Sequence, residues 1–160
     1  TTEKGAATIL ITNEMLRYWE ISPDELYQIA IENTPAILQA EFKPMRVVIQ
    51  ELMHRPICDA DPDDNCMYVL SNQYRHFGAA CMLYSRVLED IGNQLGEDYY
   101  ILPSSIHEII ILPTSCCMGY GDIDEMIVEI NETQVSEEDM LSDHAYYYCR
   151  RDCRLLMGNQ

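Results

Sequence analysis

The stretch that decides the fold is residues 99–113, YYILPSSIHEIIILP. Two apolar runs, at 99–102 and 108–112, flank a short polar connection, and this is the pattern of a β-hairpin. A proline follows each run, Pro103 and Pro113, and proline is confined to the margins of a sheet because it cannot donate a ladder hydrogen bond. The segment therefore predicts two antiparallel strands with a polar connection between them.

Upstream of this hairpin, the residue pattern predicts one strand and three helices. Residues 8–12 (TILIT) form an apolar, β-branched run typical of a strand, and Asn13 can cap a first helix. Residues 22–25 (SPDE) combine a capping box with proline at the first helical position, so a second helix begins there. We expect that helix to end before Pro35, because the residue before a proline resists the helical conformation, and a third helix to start at Pro44.

An aspartate-rich loop separates these helices from the rest of the chain. Residues 54–65 (HRPICDADPDDN) hold two prolines, four aspartates and no apolar period, which is typical of a surface loop. We interpret residues 1–160 as a single domain, since a chain of this length builds one core. The loop is the one credible subdomain boundary.

Beyond the loop, strands and helices alternate. The predicted elements are a hairpin of 66–70 with 79–84, a helix capped by Ser85 and ended by Gly96, the hairpin of 99–112, a helix at 122–134, and a last strand or hairpin at 145–149 and 154–157. Successive hairpins make an antiparallel sheet that buries one face under helices. The fold class we predict is α+β: an antiparallel sheet built from β-hairpins with helices packed on one face, preceded by a strand and about three helices.

The charge of the chain is strongly negative and unevenly distributed. Lysine and arginine number 10 against 27 aspartates and glutamates, which gives a formal net charge of -17. Nucleic acids and anionic membranes need a basic patch, so we expect neither as a partner. Nine carboxylates and no cation lie between residues 122 and 143. A cationic protein partner would be steered to the outer face of the predicted helix, formed by Asp124, Glu125, Glu129 and Glu132, unless these residues are only a solvated acidic face.

Cysteine usage indicates a reducing compartment. The count of seven is odd, Cys116 and Cys117 are adjacent, and the sequence has no secretory signal and no apolar run of membrane length. We therefore expect reduced thiols and a cytoplasmic location. The cysteine spacing matches no zinc motif, and residues 119–121 (GYG) lack the third glycine of a dinucleotide loop, so we expect neither a metal nor a cofactor.

Two short polar segments hold the residue types of a hydrolase. The candidates lie in the connection of the central hairpin or directly before the last predicted strand, and they are Ser104, Ser105, His107, Glu108, Asp143 and His144. If the segments met, a serine would be the nucleophile, a histidine its base and Asp143 the orienting carboxylate. The histidines and carboxylates are also metal-ligand types. The alternative is that the serines make turns and that Asp143 and His144 satisfy backbone groups.

Long parts of the chain resemble a family of domains of unknown function from anaerobic gut bacteria. The resemblance lies in residues 13–35, 78–113 and 130–148, and most specifically in the strings ILPSSIHE (101–108) and LSDHxYYY (141–148). It implies no activity, cofactor or catalytic residue. Members of the family it resembles are longer at the N-terminus, so we expect this chain, which starts at Thr1 without a methionine, to be the C-terminal part of a longer protein.

These observations favour one function and leave one alternative. We expect a non-enzymatic cytoplasmic protein-interaction or regulatory module with an acidic face, because the charge is one-sided and no catalytic motif is complete. The alternative is a hydrolase or metal-dependent enzyme that uses residues 104–108 with Asp143 and His144. The oligomeric state is not indicated by the sequence.

Overall fold

The predicted central hairpin is present. In the computed structural model, which describes residues 9–53, 67–119 and 123–157, strands β3 (Tyr99–Leu102) and β4 (Ile109–Pro113) pair antiparallel. Tyr99 lies opposite Pro113 and Leu102 opposite Ile110. The predicted subdomain boundary at 54–65 lies outside the described residues.

The remaining strands extend this hairpin on both sides. The described helices are α1 (Asn13–Trp19), α2 (Pro23–Ile37), α3 (Met45–Met53), α4 (Val87–Leu95) and α5 (Ile123–Gln134), with 3₁₀ helices at Gly78–Leu83 and Thr114–Gly119. The other described strands are β1 (Ala40–Pro44), β2 (Tyr68–Asn72), β5 (Tyr146–Cys149) and β6 (Arg154–Met157). All six strands form one antiparallel sheet in the order β1-β2-β4-β3-β5-β6. The predicted α+β class and the last hairpin, β5–β6, are confirmed.

Strand β4 is buried on both faces, which places helices on both sides of the sheet. Ile109 and Ile111 face a core that includes Ile91 of α4. Ile110 and Leu112 face a second core that includes Ile127 of α5. The expectation of helices on one face therefore needs correction, because side chains alternate along a strand and both sets on β4 are apolar. Each fully buried side chain of this size contributes about 1.5–3 kcal/mol, so both helices are held firmly.

The first strand and the second helix differ from the prediction. Residues 9–12 have no regular structure, and Ile9 and Leu10 are exposed, since no neighbouring strand pairs with them in the described chain. The N-cap of α1 is Thr12, not Asn13. Helix α2 keeps the predicted capping box but runs through Pro35 to Ile37. A proline so close to the helix end removes only one internal hydrogen bond.

The predicted strand at 79–84 is the 3₁₀ helix Gly78–Leu83, so β2 pairs with β1 and β4 instead. Gly78 explains the difference, because the chain passes so close to β2 there that a Cβ atom would lie 2.5 Å from His107 O and 2.7 Å from Asn72 N. The apolar Cys81 still reaches the core. Helix α4 follows with Arg86, not Ser85, at its N-cap, and ends at Gly96 as predicted.

No helix in the described part of the chain combines the length and the apolar character that crossing a bilayer requires.

Several tyrosine hydroxyls are enclosed by the fold. The Tyr84 hydroxyl donates to Leu38 O at 2.9 Å and the Tyr99 hydroxyl to Leu88 O at 2.8 Å. Burial raises the pKa of both phenols well above the ordinary value, and it raises the pKa of Tyr148 to about 12. Tyr147 donates to Asp98 at 2.6 Å, and this hydrogen bond, followed by burial, raises the pKa of Tyr147.

Gly78→Ala is expected to lower the free energy of unfolding by about 2–3 kcal/mol, because the new methyl group overlaps backbone atoms that cannot move aside cheaply. The measurement is a urea unfolding curve followed by circular dichroism. Gly92→Ala is the matched control: its Cβ would meet Tyr148 at an ordinary 3.4 Å inside α4, so the change stays within about 1 kcal/mol. Equal midpoints for the two variants would contradict the close packing of Gly78.

The enclosed phenols predict a loss of stability at alkaline pH. Their pKa is raised in the folded state, so the stabilisation is complete below about pH 10 and declines as the pH rises towards about 12. Urea midpoints measured across this range should fall together with the appearance of tyrosinate absorbance. Tyr148→Phe should flatten the fall, whereas Tyr18→Phe, at an 86 % exposed position, should leave it unchanged.

Candidate functional site

The two strings singled out in the sequence meet through their backbones. Ile106 N donates to Asp139 O at 2.9 Å, and Leu141 N donates to Ser104 O at 3.1 Å. Between these bonds, Ser105 and Met140 form an isolated antiparallel bridge. The connection of the β3–β4 hairpin is therefore joined to the segment that leads into β5.

The two candidate serines are enclosed by this junction. Ser104 is 2 % exposed and Ser105 is 8 % exposed. The Ser105 hydroxyl accepts a hydrogen bond from the backbone N–H of His107 at 3.0 Å. Among the described residues, no hydrogen bond joins a Ser104 or Ser105 hydroxyl to an imidazole nitrogen. Glu108 is half-buried and lies directly before β4.

His107 pairs with residues that the sequence did not indicate. Its Nε2 lies 3.3 Å from Asp139 Oδ1, and its Nδ1 accepts a hydrogen bond from Phe77 N at 3.1 Å. The carboxylate beside it is thus Asp139, not the predicted Asp143. No sequence pattern links positions 77, 107 and 139, because each lies in a different connection.

Asp143 and His144 lie on the surface, beside the acidic helix. Asp143 Oδ1 is 3.3 Å from His144 Nε2, and both side chains are more than 60 % exposed (63 % and 61 %). They border a shallow, largely open depression of about 420 Å³, which we call the groove. Helix α5 contributes the other lining residues, which are Glu125, Val128, Glu129 and Glu132.

Packing beneath the groove holds α5 and the 142–144 segment in place. Ile127 of α5 is fully buried in the core, so the glutamates on the opposite side of the helix point outward. Asn131 is also buried, and its Nδ2 donates to Ser142 O at 2.9 Å, which ties the 142–144 segment to α5. The backbone N–H of His144 donates to the Ser142 hydroxyl at 3.1 Å, so the segment is folded on itself.

Three of the four predicted partner-binding carboxylates line this groove, and they are Glu125, Glu129 and Glu132. The side chain of the fourth, Asp124, is outside the description. Within the described chain these three glutamates make no ion pair. The groove is therefore a concentration of unbalanced negative charge.

The described residues include no group of three histidine, cysteine or carboxylate side chains that could hold a metal ion. Residues 120–122, which contain part of the Gly-Tyr-Gly sequence, are outside the description. The expectation that the chain uses no metal and no cofactor stays a prediction. Burial raises the pKa of the Cys81 thiol, which suits a core residue rather than a reactive one.

Comparison with known proteins supports the family resemblance and adds no activity. A model of a family of unknown function, DUF5688, matches residues 1–150. No curated protein and no solved structure matches the chain. What the groove does has to be inferred from its own residues.

Asn131→Asp is expected to lower the free energy of unfolding by about 2 kcal/mol or more, because a buried carboxylate cannot donate to Ser142 O and loses its hydration. Urea unfolding measures the loss. Asn93→Asp makes the same change at an exposed position of α4 and should stay within about 0.5 kcal/mol. A loss in Asn93→Asp as large as that in Asn131→Asp would refute the tie between α5 and the 142–144 segment.

Proposed function

Since the chain belongs to DUF5688, a family of unknown function, we propose its role from its own geometry: a non-enzymatic protein-interaction or regulatory module that binds a cationic segment of a partner protein. The supporting observation is the groove, a shallow depression lined by Glu125, Glu129 and Glu132 together with Asp143. A bacterial, cytoplasmic setting is part of the proposal. It agrees with the seven cysteines, of which Cys81, Cys116, Cys149 and Cys153 are seen as free thiols.

The contribution of two separate chain segments is what favours a binding surface over a merely solvated acidic face. If the outer residues of the helix only kept the protein soluble, no second chain segment would have to lie beside them. Here Asp143 and His144, from the segment before β5, stand beside the helix and are held there by Asn131. A side chain that enters the groove would meet carboxylates from two elements at once.

The expected affinity is modest, and it should depend on salt. An exposed ion pair contributes about 0–1 kcal/mol, so a cationic segment must make several such contacts to bind. Exposed charges are screened over about 10 Å at 0.1 M salt, and the attraction weakens as salt rises. Electrostatic complementarity of this kind accelerates association more than it tightens binding.

The groove also limits what kind of cationic segment fits. Val128 lies among the glutamates and is 40 % exposed, so part of the surface is apolar. A segment with spaced lysine or arginine residues and a small apolar residue between them would cover both. Nucleic acid, with its phosphates, would be repelled.

Reversing the three glutamates to lysine (Glu125→Lys, Glu129→Lys, Glu132→Lys) should abolish binding of a short lysine-rich peptide, measured by fluorescence anisotropy at about 0.05 M salt. The unmodified chain should bind, and binding should fall at least about tenfold at 0.5 M salt. When the same proteins are used as bait in cell lysate, the unmodified chain should capture partners that the triple variant does not.

The control reverses three exposed carboxylates elsewhere, Glu14→Lys, Glu32→Lys and Asp90→Lys, which changes the net charge equally. This variant should keep most of the binding. If both triple variants lose binding to the same degree, the effect is due to net charge, and the groove is not the docking site.

The hydrolase remains the second candidate, because the two predicted segments are joined by backbone hydrogen bonds and each carries a histidine beside a carboxylate. The enclosed serines count against it. An assay with small activated esters tests it: turnover that is lost in both Ser104→Ala and Ser105→Ala, yet retained in the lysine triple variant, would favour the enzyme over the binding module.

A further inference from the structure

The imidazole of His107 connects three segments that are distant in the sequence. Nε2 faces Asp139 at 3.3 Å, Nδ1 accepts the backbone N–H of Phe77, and the ring lies 5.2 Å from the ring of His76 with an interplanar angle of 19°. The backbone of the same residue is held by the hydroxyls of Ser71, which donates to His107 O, and Ser105, which accepts from His107 N. The ring position is thus well determined.

These contacts specify one protonation state of the ring. A backbone N–H can only donate, so the Nδ1 atom that receives Phe77 N must carry a free lone pair. The proton of the neutral ring is then on Nε2, where it points at the Asp139 carboxylate. His107 is therefore neutral, as the Nε2–H tautomer, whenever the Phe77 hydrogen bond is formed.

The residue held by this hydrogen bond is Phe77, the last of loop 73–77, which lies between β2 and the 3₁₀ helix. Two of its non-glycine residues, Arg75 and Phe77, have φ of 52°, in the left-handed region that such residues avoid. Asn72 supports the first part, because its Oδ1 accepts Tyr74 N at 2.9 Å and its Nδ2 donates to His76 O at 2.7 Å. The last residue of the loop, Phe77, is 44 % exposed and is held by His107.

We propose that His107 is a pH-operated latch, closed when the ring is neutral and opened when a solvent proton binds Nδ1, which releases Phe77, the last residue of loop 73–77, from the β3–β4 connection. A protonated Nδ1 points an N–H at the N–H of Phe77, so that hydrogen bond is lost. The pairing with Asp139 survives and becomes an ion pair. The ring therefore stays attached to the segment before β5 and detaches only from the loop.

The charged neighbours act in the same sense. The His107 ring stacks on the ring of His76 in the loop, and its Nε2 faces Asp139 in the segment after α5. Glu108, half-buried, follows it on its own chain segment. When both rings carry a proton, they are two stacked cations that repel each other, and this repulsion adds to the loss of the Phe77 hydrogen bond. Phe77 lies in the left-handed region, and without its hydrogen bond to His107 it relaxes to an ordinary backbone conformation.

Amide hydrogen exchange of Phe77, measured by NMR between about pH 5 and pH 8 and corrected for the intrinsic rate, tests the latch. Protection at Phe77 should fall about tenfold as His107 becomes protonated, and the ¹⁵N shifts of the ring should report the Nε2–H tautomer at the high end. Amides of β4 should keep their protection over the same range.

Two substitutions separate the latch from general acid unfolding. His107→Asn keeps an acceptor oxygen near the position of Nδ1 but does not titrate, so Phe77 should stay protected at both ends of the range. His144→Asn, which alters an exposed histidine outside this cluster, should behave like the unmodified chain. The proposal is overturned if Phe77 protection is independent of pH in the unmodified chain, or if His107→Asn retains the same pH dependence.

Discussion

Strand β4 is buried on both of its faces, and the layers of the structure follow from that constraint. Four consecutive apolar side chains, Ile109 to Leu112, must each be removed from water, but a strand sends alternate side chains to opposite sides. Two separate covers are therefore needed. On one side α4 and the 3₁₀ helix Gly78–Leu83 provide the cover, and on the other side α5 provides it.

The position of α5 in turn creates the groove. Its apolar side is committed to the core through Ile127, so its glutamates have to face solvent. The chain after α5 returns alongside the β3–β4 connection, where residues 139–141 pair with 104–106, before it enters β5. This return path brings Asp143 beside the helix. The junction between the two candidate catalytic segments thus also leads into one side of the acidic groove.

Local signals in the sequence predicted what local forces decide. The capping box at Ser22 and the left-handed Gly96 are interactions between residues a few positions apart, and both are as expected. The period of α5 and its outward glutamates were predictable for the same reason. The central hairpin followed from the two apolar runs. Each of these features depends on a pattern that is contiguous in the chain.

The prediction was wrong where distant contacts decide. The run after Gly78 has the composition of a strand, but the close approach of its backbone to Ser71 and His107 excludes one. Strand β1 was missed because its five residues include Glu41, Lys43 and Pro44, and only its pairing with β2 makes it a strand. Likewise, the contact of His107 with Phe77 spans 30 positions, and the groove needs residues from both 125 and 143.

The double burial of β4 also has a consequence for the chain before it folds. The segment IIIL at 109–112 is β-branched, apolar and uncharged, which is the composition that forms intermolecular cross-β contacts when it is exposed. Its native partner β2 lies about forty positions upstream, so the segment stays unpaired on that side until a long loop closes. Glu108 and Pro113 stand directly at its two ends, a charge and a residue without an amide hydrogen. A charge and a proline are the residue types that oppose aggregation when they flank an apolar strand, so β4 is bounded by residues suited to that role.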